Sequence, residues 1–245
     1  MLPSSTTATT AVTAVTTNAT TNATMAVRVW DLPTRLFHWT LAVTVIGSVV
    51  SAKIGGNAMV WHMRLGCLVL ALVTFRVLWG LVGGRWSRFA SFIYAPATVL
   101  RYLRGQSRPG EHLDVGHNPL GSFSVFGLLA VLAIQVATGL VADDEIATVG
   151  PLNRFVSPEI VSQATGWHKQ FGQWILLAMV ALHVAAILFY LVKKKHNLVR
   201  PMLVGDKPLP ADTPASADGA RQRILALVLF ALCAAGAAWV ASLAL

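Results

Sequence analysis

An apolar run from Gly166 to Tyr190, GWHKQFGQWILLAMVALHVAAILFY, carries two histidines fifteen residues apart, His168 and His183. It is long enough to cross a bilayer, which takes about 20 mostly apolar residues. At a helical rise of about 1.5 Å per residue the two imidazoles stand about 22 Å apart, one near each membrane face. Fifteen steps of about 100° leave an offset of about 60°, so both rings point broadly to one side. Ionisable groups inside a membrane helix are costly and mark function. This run is therefore expected to be the helix around which the others are arranged, with partners at matching depths.

Four more apolar runs follow the same logic. They cover about Leu36–Ala52, Ala58–Val82, Leu120–Val141 and Ile224–Leu245, so the chain is expected to span the membrane five times. The chain is 55% hydrophobic and 12% charged, against about 25% charged in a soluble domain. The fold class that follows is all-α: a transmembrane bundle of five helices, the last of them C-terminal. The net charge of +9 could point to nucleic acid, but the basic residues sit in loops beside the apolar runs. That is a topological pattern, and no nucleic-acid partner is expected.

Counting Lys and Arg sets the orientation. The N-terminal flank, the loop between the second and third runs and the segment after the fourth hold fourteen of the nineteen. The N-terminus is thus expected in the cytoplasm of a multi-pass membrane protein, with the C-terminus outside. The outer loop carries Asp143, Asp144, Glu145 and Glu159 against Arg154, a balance of −3.

Residues 1–24 hold ten threonines and no charge, so they lack the positive region of a signal peptide. Residues 1–27 are expected to be a disordered tail, and Met25 is a candidate initiator. Residues 28–200 are expected to be the membrane domain, 201–223 a cytoplasmic linker and 224–245 the last helix. Asn18-Ala19-Thr20 and Asn22-Ala23-Thr24 fit the glycosylation pattern, which carries little meaning on the cytoplasmic side.

Depth sorts the histidines into two pairs. His38 opens the first run at its cytoplasmic end, level with His183; His62 lies near the outer start of the second, level with His168. Two imidazoles facing across a bundle are what bis-histidine ligation of a b-type haem needs, one nitrogen on each side of the ring plane. There is no Cys-x-x-Cys-His for covalent haem; Cys67 and Cys233 lie singly in apolar runs. Arg76 follows His62 by fourteen residues, about 21 Å deeper, where it either meets a haem propionate or snorkels to the interface. Arg35, Arg64 and Lys169 are further propionate candidates or interfacial anchors. Gly47, Gly66, Gly127 and Gly139 could make room for flat rings, although small residues also serve plain helix packing. His112, His117 and His196 are read as interface or loop histidines.

Five segments then carry a resemblance: RLFHW at 35–39, WHMRLGCLVLALVTFRVLWGLVG at 61–83, HNPLGS at 117–122, TGL at 138–140 and GWHKQFGQWILLAMVALH at 166–183. Together they resemble the prokaryotic cytochrome b-561 and NiFe-hydrogenase b-type cytochrome family over about residues 28–200. The resemblance implies a four-helix core with two non-covalent haems b, and the matching ligand positions are His38, His62, His168 and His183. It also implies electron transfer in a respiratory chain, between a quinone in the bilayer and a periplasmic redox protein such as a cytochrome c or a hydrogenase-like enzyme. The chain would then be an electron-transfer component, and whether it counts as an oxidoreductase subunit stays open. The Thr-rich tail and the fifth run depart from the minimal family pattern.

Two other classes remain open on the residues alone. A membrane transporter of metal or protons would also place imidazoles in a bundle, but metal sites cluster their ligands and these pairs are far apart. An assembly subunit would leave four intramembrane histidines without a role. A reduced b-type α band separates haem from both.

Overall fold

Asp31 begins the first membrane helix. Its carboxylate accepts from the Thr34 amide at 2.8 Å, and Pro33 sits in the first turn, where its missing N–H costs nothing. The helix, α1, runs Leu32–Ile54 and ends at Gly55, whose φ of 69° suits a residue without Cβ. The computed structural model describes residues 24–108, 110–146 and 148–244. Most of the expected tail and the asparagines of both glycosylation patterns lie outside them.

The remaining elements are β1 (Thr24–Arg28), α2 (Met59–Val82), α3 (Pro96–Leu103), α4 (Pro119–Val141), α5 (Pro158–Gly166), α6 (Gln173–Val192), α7 (Val199–Val204), β2 (Asp206–Pro210) and α8 (Ala220–Ser242). Residues Trp167–Gly172 join α5 to α6 as a π-helical turn. Among the described residues the five candidate spans are α1, Gly56–Val82, α4, Pro158–Val192 and α8, so the chain is a multi-pass all-α membrane bundle. The fourth span is longer than its apolar run: helix begins at Pro158, eight residues before Gly166, because polar Glu159, Ser162 and Gln163 carry it beyond the hydrocarbon stretch.

Packing is centred on α2, not on the fourth span. Helices α1, α4 and α8 all lie against α2, whereas α6 packs along α4 and only sparingly on α1 or α2. Phe37, Ala71, Leu72, Phe75 and Trp79 meet Ala226, Cys233 and Ala237 of α8 in one core. Small residues let these backbones approach closely, which is what drives association where lipid is as apolar as leucine. On the other flank Val69 and Val73 meet Leu132 and Leu176.

A small cap closes one end. β1 and β2 pair antiparallel, Arg28 opposite Asp206 and Thr24 opposite Pro210, so residues expected in the tail and linker form a two-stranded sheet. Polar Asp206, Lys207 and two prolines hid a strand whose pairing partner lies nearly the whole chain away. Arg28 bridges Asp206 at 2.8 Å and Asp218 at 3.0 Å. We call this the near end and the opposite one the far end.

Candidate functional site

At the far end, His62 opens α2 and His168 lies in the π-helical turn, their ring centroids 5.9 Å apart. A π-turn inside a longer helix is rare and recurs at functional positions. Here it leaves the His168 carbonyl to accept from the Gln135 side-chain amide at 2.9 Å. The His168 Nδ1 is 2.8 Å from the Gln135 carbonyl, and the His62 Nδ1 is 2.9 Å from the Ser48 carbonyl. A carbonyl only accepts, so both Nδ1 atoms carry the proton and both Nε2 atoms keep a free lone pair. Both rings line a cavity of about 510 Å³ with Ser48, Gly66, Gln135 and Gly139. A Cβ on Gly139 would lie 2.7 Å from the His168 ring, so the glycine is what lets that ring sit against α4. Lys53, Lys169, Asp143 and Asp144 also line the cavity.

At the near end, His38 of α1 and His183 of α6 have centroids 6.4 Å apart. The His38 Nδ1 is buried without a hydrogen-bond partner, and the His183 Nδ1 reaches only the Ser124 hydroxyl at 3.5 Å. Arg76 is 3% exposed, stacks on Phe89 at 4.8 Å, and keeps one buried Nη1 unpartnered. His117 packs between Trp30 and Phe92, at 4.7 and 4.6 Å. Burial pushes it down to about 3, with the Arg76 charge acting in the same direction.

The two pairs stand well apart. Ser48, which holds His62, lies ten residues beyond His38 on α1, about 15 Å along the axis. The charged candidates divide. Lys169 lines the His62–His168 cavity, and Arg76 is buried at the level of the near pair. Arg35 donates to the Leu203 carbonyl at 2.5 Å, and Arg64 turns onto Trp61 at 5.2 Å, away from the cavity lining. Among the glycines, Gly66 and Gly139 line that cavity, while Gly47 faces Leu65 and Gly127 faces Met179. Residue types alone passed over Ser48, Lys53 and Gln135. A lone amide in LLAVLAIQVATGLV was the one visible signal, because an unpaired polar group is costly in lipid.

The geometry was tested against a bis-histidine metal. Two imidazoles bound through nitrogen at about 2 Å, with ring centres about 1 Å further back, have centroids about 6 Å apart. Both pairs meet that separation. The far pair also has its rings oriented by carbonyls, as ligating histidines normally are. Arg76 of α2, whose charge acts on His117 together with His38 and His183, keeps one buried Nη1 without a hydrogen bond, which suits a carboxylate. The residues present fit haem.

Spanning helices and facing imidazoles thus define a multi-pass membrane protein with a histidine-lined core. The family model described as prokaryotic cytochrome b561 matches residues 29–205, and the chain belongs to that family. It is a membrane b-type cytochrome of electron transfer, and its cofactor is haem b. It is 26% identical over 214 residues to a probable Ni/Fe-hydrogenase B-type cytochrome subunit of Cupriavidus necator, covering 74% of this chain and 86% of the relative. A probable Ni/Fe-hydrogenase 1 B-type cytochrome subunit of Escherichia coli K12 is 25% identical over 215 residues, covering 72% and 88%. One from Azotobacter vinelandii is 25% identical over 227 residues, covering 77% and 91%. No solved structure matches the chain.

Proposed function

We propose that this cytochrome holds two haems b, one between His62 and His168 and one between His38 and His183, and carries electrons across the bacterial inner membrane. The observation that carries the reading is the pair of facing imidazoles at each end, 5.9 and 6.4 Å apart. Bound haem b supplies a one-electron ferric/ferrous couple at each pair. The chain's own residues do the rest. Ser48 and Gln135 fix the far rings in one tautomer, and Arg76 and Lys169 offer cations to propionates at opposite levels. Two axial imidazoles leave no open position, which suits electron transfer and not oxygen binding. Residues 28–200 form the haem-binding unit, and α8 braces α2 from outside it.

The family resemblance supports the choice of partners. Quinone in the bilayer serves one side, and a periplasmic redox protein, a cytochrome c or a hydrogenase-like enzyme, serves the far end. Among the described residues no three His, Cys, Asp or Glu side chains gather as an ion-transport site would need. The deciding experiment is the haem-to-protein ratio and reduced spectrum of the purified full-length chain. About two haems b per chain with a low-spin α band is expected; a folded protein without that band overturns the reading.

Orientation gives a second expected result. A reporter fused after Lys195 reads cytoplasmic, and one fused at the C-terminus reads periplasmic. A cytoplasmic signal at the C-terminus would rule out α8 as a crossing helix.

The far loop gives a third. The Asp143 side chain accepts from the Glu145 amide, and the Asp144 side chain from Ile146 and Thr148 amides, at 2.7–2.9 Å. Changing Asp143, Asp144 and Glu145 to Asn, Asn and Gln removes charge but keeps a carbonyl acceptor for each turn. If a basic partner docks here, electron transfer to it slows at low salt and converges with wild type at high salt. Equal rates at every ionic strength would exclude steering by this loop.

A further inference from the structure

The two ligand pairs are built differently on the side away from the iron. Both far rings donate Nδ1–H to a backbone carbonyl, at 2.9 Å for His62 and 2.8 Å for His168. Of the near rings, His38 has no partner at Nδ1, and His183 has only a hydroxyl at 3.5 Å. An imidazole whose outer N–H is drawn toward a carbonyl is more basic at its other nitrogen. As an axial ligand it donates more density and favours ferric over ferrous iron, which lowers the reduction potential.

Charge does not set the two pairs apart. Buried Arg76 is matched by the buried carboxylate of Asp31, whose charge acts on it. At the far pair the cavity is lined by Asp143 and Asp144 against Lys53 and Lys169, so those charges largely cancel. The ligand hydrogen bonds therefore decide the far potential.

Resting on the ligand pairing above, we infer that the far haem is the low-potential centre and the near haem the high-potential one. Gln135 is the positioning residue behind this asymmetry. Its backbone carbonyl accepts the His168 Nδ1–H, its side-chain amide donates to the His168 backbone carbonyl, and its Oε1 packs where a Cβ on Gly172 would fall. The side chain thus holds the π-turn, and with it the ring, against the backbone acceptor of the same residue.

The test is an equilibrium redox titration of the full-length protein in lipid nanodiscs, read at the α band. Wild type is expected to show two transitions separated by at least a tenfold electron preference, about 59 mV for one electron. In His38→Ala, or in His183→Ala should the first fail to fold, the surviving transition is the lower one. A surviving upper transition, or two equal potentials in wild type, overturns the inference. A haem-to-protein ratio near one in wild type, or unchanged in both variants, overturns the ligand pairing instead and is recognised before any potential is read. Gln135→Leu keeps the backbone acceptor but frees the His168 backbone, which loosens the ring's hydrogen bond; the lower potential should rise and the upper stay unmoved, and two unshifted potentials would remove the Gln135 side chain from the argument. Should Gln135→Leu shed the far haem, the wild-type and His38→Ala titrations still decide the order.

Discussion

His168→Ala is expected to shed the far haem and keep most of the near one, with the haem-to-protein ratio falling from about two to about one. His183→Ala is expected to do the reverse. The two losses separate because the pairs share no ligand, and on the one span that serves both, His168 and His183 stand fifteen residues apart. A haem that would be held by two imidazoles would bind far more weakly to the one that remained. His168→Gly offers a stricter check. It frees the space of the ring beside Gly139, and added imidazole should restore the α band without covalent attachment. Both alanine variants retaining a full complement with unchanged spectra would overturn the pairing.

Asp31→Ala is expected to cost about 3–5 kcal/mol, the largest stability loss of any single change considered. Its carboxylate is fully buried and accepts from the Thr34 amide, Trp79 Nε1, the Gly84 amide and the Ser87 hydroxyl, at 2.7–3.2 Å. Those donors belong to α1, to α2 and to the turn after it, so one side chain locks two helix ends together. Removing it strands four donors and takes away a carboxylate whose charge acts on Arg76. Asp31→Asn keeps one acceptor oxygen and should cost distinctly less. Thermal unfolding in detergent measures the ranking, and an alanine variant as stable as wild type would contradict it.

Membrane spans and ligand candidates were legible because lipid punishes polar groups. A histidine in an apolar run stands out, and helix rise converts spacing into depth. His62–His168 and His38–His183 could thus be paired by arithmetic before any contact was known. Asp31 was not legible, since WDLPTR reads as an ordinary helix start and its other three donors lie 48 to 56 residues away. The π-turn was hidden for a different reason: GWHKQFGQW fits a plain helix, and only Gln135 on α4 supplies the reason to widen it. The sheet escaped for a third, because β1 and β2 are short, polar or proline-bearing, and exist only as each other's partner.

That sheet has a consequence for biosynthesis. β1 ends at Arg28 and its partner begins at Asp206. At about 5–20 residues per second, a ribosome leaves β1 waiting about 9–36 s for β2 to emerge. During that interval α1, α2, α4 and α6 can enter the bilayer and meet, while the edge of β1 has no strand to pair with. Closure of the sheet then comes just before α8 is delivered to α2, which makes the clasp a late checkpoint on the order of insertion. A β1 variant that cannot pair should therefore release chains whose first four spans are inserted and whose last helix is misplaced, a defect of timing that the haem spectrum would not register.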